Sequence, residues 1–129
     1  IALAELEPID GLVALVLAHS VGRSLATLVM ATTSPAAKKG LGQSYTAHLP
    51  RPKVFAMGVF IAACTVACGP AGLAGYMIAL AGAGFVVLFA KRSFGGTTGD
   101  VLGAVEQIGE MAMLTTAARL VAEHGWQWG

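Results

Sequence analysis

From Val54 to Ala90 the chain runs 37 residues without a formal charge. As one helix this stretch would extend roughly 55 Å, against a bilayer hydrocarbon core of about 30 Å. It has to turn back, and Gly69-Pro70 followed by Gly72 marks the place. Two spans follow, over about 54–68 and 71–90. A third covers about 11–32, interrupted by His19 and Arg23, and a fourth about 99–121, containing Glu106, Glu110 and Arg119. Residues 1–6 read as the tail of another helix, ended by Glu7-Pro8-Ile9-Asp10-Gly11. Apolar residues surround these segments instead of marking one stripe, which suits lipid better than a water-facing helix. Gly72, Ala74, Gly75, Ala79, Ala81, Gly82, Ala83 and Gly84 let neighbouring helices approach closely. The expected fold is all-α, a polytopic integral membrane bundle of about four transmembrane helices, without internal repeat or linker.

Composition narrows the other classes. With 56% hydrophobic residues the chain is too apolar for a solvated coil. Its 12% charged residues are about half the usual share, which leaves a soluble all-α bundle with a large core only as the lesser alternative. Eight Lys+Arg against seven Asp+Glu give a net charge of +1, which argues against nucleic acid. Cys64 and Cys68 are the only cysteines and read as packing residues, not a disulfide framework. The chain opens on Ile1 with no signal-peptide pattern and is expected to continue upstream.

Lysine and arginine placement orients the bundle. Lys38, Lys39, Arg51 and Lys53 follow the first helix; Lys91 and Arg92 follow the third. Antiparallel neighbours put these six on one side, expected to be cytoplasmic. Glu5, Glu7, Asp10, the uncharged Gly69 turn and Glu123-His124 belong to the other, with Trp126 and Trp128 at that interface.

Charges inside the membrane are costly and point to function. On the fourth helix, with Asp100 at 0°, Gly103 lies near 300°, Glu106 near 240°, Gln107 near 340° and Glu110 near 280°, at about 100° per residue. Three carboxylates within an arc of about 120° need a cation or a basic partner to stay ionised together. That partner is either Arg23 of the first helix or a bound divalent metal. On the first helix His19, Ser20, Arg23, Ser24 and Thr27 share an arc of about 140°. A buried Arg needs an anion, either a neighbouring carboxylate or a ligand's phosphate. His19 reads first as a hydrogen-bonded packing residue.

Between the third and fourth helices stands Lys91-Arg92-Ser93-Phe94-Gly95-Gly96-Thr97-Thr98-Gly99-Asp100. Glycines let backbone N–H groups approach an anion, and a helix N-terminus adds partial positive charge. Asp100 is either the helix N-cap or a ligand for Mg²⁺ bridging to phosphate oxygens. The run is not a P-loop, since no Gly-Lys-Ser/Thr follows the glycines.

Lys91-Arg92 with Gly95-Gly96-Thr97-Thr98-Gly99-Asp100-Val101-Leu102-Gly103-Ala104 closely resembles the C-terminal signature of cobalamin synthase, or adenosylcobinamide-GDP ribazoletransferase, an integral membrane enzyme family. Ser20-Val21-Gly22-Arg23-Ser24 and Gly40-Leu41-Gly42 match the family's arginine-bearing helix and glycine turn. The family carries acidic residues seven and ten positions after the motif aspartate. Here Glu110 matches the second; the first falls on Gln107, with Glu106 one place earlier. The resemblance implies that residues 1–129 are the C-terminal membrane portion of a single helical domain, with the family's other acidic motifs in an N-terminal half. It implies a Mg²⁺-dependent transfer of the adenosylcobinamide-phosphate group from adenosylcobinamide-GDP to α-ribazole or its 5′-phosphate, releasing GMP. Arg23, Lys91, Arg92, Gly95, Gly96, Thr98 and Gly99 would then hold phosphate, and Asp100 and Glu110 would hold Mg²⁺. The site would face the cytoplasm from the bacterial inner membrane. The alternatives are an ion-coupled transporter relaying cations along the carboxylate stripe, and a non-catalytic membrane assembly module.

Overall fold

The computed structural model describes residues 2–36, 44 and 46–128. The described residues form four principal helices: α1 (Pro8–Thr32), α2 (Arg51–Ala67), α3 (Pro70–Phe94) and α4 (Gly99–Thr116). A 3-10 turn (Ala2–Glu5) precedes them, and a π-helical turn (Ala117–Val121) with a last helical turn (Ala122–His124) follows. Among the described residues there is no β-strand, only an isolated bridge between Pro35 and Thr97. Lys38, Lys39 and Gly40-Leu41-Gly42 lie outside the described residues.

The proline-started helices follow from local chemistry. Pro8 and Pro70 each open a helix because their missing N–H would be unpaired there anyway. Pro8 begins α1, so Ile9, Asp10 and Gly11, expected to lie in the break before the first span, are inside the helix. Gly69 adopts φ +106 between α2 and α3 with the carbonyl of Trp126 against it, leaving no room for a side chain. The hairpin thus turns where the sequence indicates. At its other end α3 continues through Lys91, Arg92 and Ser93 to Phe94, four residues beyond the expected span. Cations in the last turn face the negative end of the helix dipole, so the helix has no reason to stop at Lys91. The expected fourth span of about 99–121 is also modified: the α-helix ends at Thr116 and widens into the π turn.

α1 and α3 each have 25 residues and are long and apolar enough to cross a membrane. At about 1.5 Å per residue each reaches roughly 37 Å. α2 has 17 residues, about 25 Å, and α4 carries Asp100, Glu106 and Glu110. Phe85 is 72% exposed, Val59 69% and Phe60 68%, a surface suited to hydrocarbon and poorly suited to water. This is an all-α membrane bundle.

α4 packs against both α1 and α3, and α2 lies along α1 and α3. Leu17, Val21, Leu25, Ala79, Val105 and Met113 form the main core. A second cluster at the Gly69 end joins Ala14, Ala71, Ala117 and Val121 to Leu3 and Leu6. Trp128 caps that end, its indole N–H donating to the carbonyl of Val66 at 3.0 Å. At the opposite end the segments after α1 and α3 are stitched together. Thr97 N–H donates to Ser34 O at 3.1 Å and Ala36 N–H to Thr97 O at 2.9 Å. This places Lys91 and Arg92 at the same end as the start of the α1–α2 connection.

Candidate functional site

Close contact between two glycines brings the polar groups of α1 and α4 together. A Cβ on Gly22 would lie 2.7 Å from the carbonyl oxygen of Glu106; one on Gly109 would lie 2.9 Å from the Cα of Gly22. Backbones this close put side chains one turn away on each helix within reach of one another. His19 Nδ1 stands 2.9 Å from a Glu110 carboxylate oxygen, and Arg23 Nε donates to His19 Nε2 at 2.9 Å. Arg23 also pairs with Glu106 at 3.4 Å. Since Nε2 accepts from Arg23, Nδ1 carries the ring proton and donates it to Glu110. The four residues form one chain of charge-assisted contacts. Their side chains are unequally covered: His19 is 59% and Arg23 67% exposed, against 31% for Glu106 and 25% for Glu110. The network sits near the middle of the 25-residue α1, far from either end.

The sequence-derived site residues therefore divide. Arg23 is not beside the Lys91–Asp100 segment; it is tied to Glu106 and His19, the neighbouring-carboxylate option. Asp100 and Glu110 are ten residues apart on one helix, about 15 Å of rise, so a single ion cannot take both. One ion could instead use His19, Glu106 and Glu110, whose candidate ligand atoms lie within 4.8 Å of one another. The carboxylate arc read from the helical period is split between two neighbours. Its Glu106–Glu110 edge faces α1, and Asp100 borders α3.

At the other site the segment joining α3 and α4 is ordered by short-range geometry. Gly95 terminates α3 with φ +73, its N–H donating to Lys91 O at 3.2 Å. Gly96 is pressed against the α1 exit, where a Cβ would lie 2.6 Å from Ser34 O. Thr98 is the N-cap of α4, its hydroxyl accepting from Val101 N–H at 3.3 Å. Asp100 is therefore not the N-cap; it lies in the first turn, where a negative charge complements the helix dipole. Among the described residues, the side chains of Lys91, Arg92 and Asp100 are exposed and make no hydrogen bond or ion pair. Gly99 has open space around it. Two unpaired cations and one unpaired carboxylate thus flank residues 93–99 at one end of the bundle.

His19 is the residue that sequence reasoning undervalued. The available signal was its four-residue spacing from Arg23 on a face of Ser and Thr, together with Gly22, which marks where another backbone comes close. Glu106 was visible as part of the stripe, but its partner became identifiable only with the α1–α4 contact.

A family model described as cobalamin-5-phosphate synthase matches residues 1–118. An adenosylcobinamide-GDP ribazoletransferase of Bradyrhizobium diazoefficiens is 38% identical over 106 residues, covering 81% of this chain and 41% of its own. One of Halorubrum lacusprofundi is 33% identical over 110 residues, 83% of this chain and 43% of its own. One of Klebsiella pneumoniae is 35% identical over 113 residues, 84% and 45%. The chain thus spans less than half the length of these relatives. No solved structure matches.

Proposed function

Because this chain belongs to the cobalamin-5-phosphate synthase family, we propose that it is part of a membrane ribazoletransferase. It would transfer the adenosylcobinamide-phosphate group from adenosylcobinamide-GDP to α-ribazole or its 5′-phosphate. A ribose hydroxyl oxygen of the acceptor attacks the cobinamide-linked phosphorus, the hydroxyl loses its proton, and the bond to GMP breaks. The family match over residues 1–118 carries this reading. The geometry is compatible with it: such a transfer needs positioning and charge neutralisation more than a covalent nucleophile. Lys91 and Arg92 would hold the diphosphate, and the open backbone at Gly99 lets it approach the N-terminus of α4. Gly95 and Gly96 would shape that approach, with Thr98 as cap.

Mg²⁺ is usually held by one or two carboxylates plus substrate phosphates. Asp100, exposed and at the same end of the bundle as Lys91 and Arg92, fits that donor set, and bound there Mg²⁺ would offset phosphate charge. Glu106 and Glu110 also offer two carboxylates, but Arg23 and His19 already engage them. Our reading therefore gives Asp100 the ion and the Glu pair the joining of α1 to α4. The lysine and arginine placement supports a cytoplasm-facing site in the bacterial inner membrane. Exposed His19 and Arg23 at mid-height of an apolar helix are expensive against lipid. We take that face to be covered by further helices of the same protein, the N-terminal half that its relatives' lengths suggest.

The test is GMP release from adenosylcobinamide-GDP and α-ribazole by membranes containing the protein at its natural length. Asp100→Asn should cut the rate at least a hundredfold and shift the Mg²⁺ requirement upward. An undiminished rate would remove Asp100 from the metal site. Ion-gradient-driven uptake without GMP formation would replace the whole reading by the transporter alternative.

A further inference from the structure

Beyond the phosphate end, α3 and α4 enclose a groove of about 450 Å³, within the size range of small-molecule sites. Phe85, Phe89 and Phe94 form one wall; Thr98, Asp100 and Ala104 lie on the other. Three of the chain's five phenylalanines are gathered here. Phe85 and Phe89 are one turn apart on the same face. Phe89 and Phe94 meet edge to face with ring centroids 6.5 Å apart and planes at 79°. All three rings keep more than half their surface open, at 72%, 58% and 59%. By contrast, the pocket beside His19 and Glu110 is walled by Leu15, Val16 and Leu114, which offer no aromatic face.

The groove is amphipathic along its length. Its deeper part, toward Phe85 and Ala104, is apolar; its mouth carries the Thr98 hydroxyl and the unpaired Asp100 carboxylate, with Lys91 and Arg92 on the same end of α3. A lipid acyl chain would leave the Thr98 hydroxyl and the Asp100 carboxylate at the mouth without hydrogen-bond donors. A nucleoside fits the gradient: a planar base for the rings, hydroxyl donors for Asp100 and Thr98. Bases stack on aromatic side chains without needing sequence-specific hydrogen bonds.

We propose that the Phe85–Phe89–Phe94 groove binds the aromatic base of the acceptor nucleoside. Its ribose then lies at the Thr98–Asp100 mouth, next to the phosphate-binding end. The proposal rests on the ribazoletransferase reading and identifies where in the site the acceptor, as distinct from the nucleotide donor, is held. It also explains why the phenylalanines cluster at the end of α3 nearest the Gly-rich segment. A base seated deeper or on another helix would leave the ribose out of reach of Asp100.

The test uses the natural-length protein in lipid nanodiscs. Phe85→Leu and Phe89→Leu keep the surface apolar and remove the aromatic face. Direct binding of α-ribazole, followed by its intrinsic fluorescence, should weaken about tenfold in each, the size of one lost stacking contact. In the transfer assay KM for α-ribazole should rise similarly while KM for adenosylcobinamide-GDP stays within twofold. Unchanged α-ribazole binding with intact GMP formation overturns the groove and leaves the ribazoletransferase reading standing. So does a lipid retained by the unaltered protein in native mass spectrometry and lost from both variants. Absent GMP formation by the unaltered protein removes that reading and the groove's acceptor together. If either variant loses folding, the conservative Phe89→Tyr, which keeps the ring, must retain α-ribazole affinity within threefold, and a larger loss overturns the assignment.

Discussion

Gly22→Ala tests whether the α1–α4 contact holds the polar network together. The added Cβ would meet the Glu106 carbonyl at 2.7 Å and Glu110 Cγ at 3.1 Å, where ordinary contact begins at 3.4 Å. The carbonyl is backbone and cannot rotate away, so the helices must part by roughly 0.7 Å locally. Opening the 2.9 Å His19–Glu110 contact by that amount takes it to about 3.6 Å, outside hydrogen-bonding range. The 3.4 Å Arg23–Glu106 pair would lengthen similarly. Overpacking of this kind costs about 1–3 kcal/mol. The measurement is SDS-induced unfolding of the natural-length protein in mixed micelles, with Gly84→Ala as control because nothing lies within 4 Å of Gly84. Gly22→Ala should lose about 1–3 kcal/mol and Gly84→Ala should stay within about 0.5 kcal/mol. Gly109→Ala, approaching the same contact from α4, should resemble Gly22→Ala. Equal stability of the Gly22 variant and its Gly84 control would refute the close-contact argument.

Gly96→Ala places a Cβ 2.6 Å from Ser34 O and 2.8 Å from Ala36 N, so it should separate the α1 exit from the α3–α4 segment. Limited proteolysis should then cut near residues 33–36 several-fold faster, whereas Gly99→Ala, with open space around it, should not change the rate. Thr98→Ala removes the N-cap of α4 and should cost about 1 kcal/mol in the same micelle unfolding assay, with Thr98→Ser restoring most of it.

Much of the bundle was legible because the bilayer imposes a simple length rule. The uncharged run could only be a hairpin, and Gly69-Pro70 could only be its turn. Helix ends were less legible because charge patterns mark the membrane boundary, and a helix need not stop there. α3 carries Lys91 and Arg92 inside its last turn for that reason. Pro8 reads both ways, since a proline ends the helix before it and begins the one after it equally well; the long apolar run that continues to Thr32 shows where the second begins. The loop residues were recognisable as a group, but several of their roles are geometric. Gly95 stops a helix, Gly96 admits a neighbouring backbone, and Thr98 caps α4.

The helical period placed the three carboxylates on one arc correctly, yet an arc of about 120° is wide enough to meet two different neighbours. Each residue along α4 turns the side chain by about 100°, so the choice between positions 106 and 107 decides which neighbour it meets. Glu106 is half-buried against α1 with Arg23 3.4 Å away, whereas Gln107 is exposed. A carboxylate at 107 would leave Arg23 to His19 alone and add an unpaired charge to the outer face. Having the acid at 106 instead neutralises Arg23 within the pair of helices, at a depth where an unpaired guanidinium would be costly. Asp100, on the arc's opposite edge, has no side-chain partner among the described residues and lines the groove against α3. The two edges of the stripe therefore have different surroundings: one joins α4 to α1, and the other lines the groove against α3.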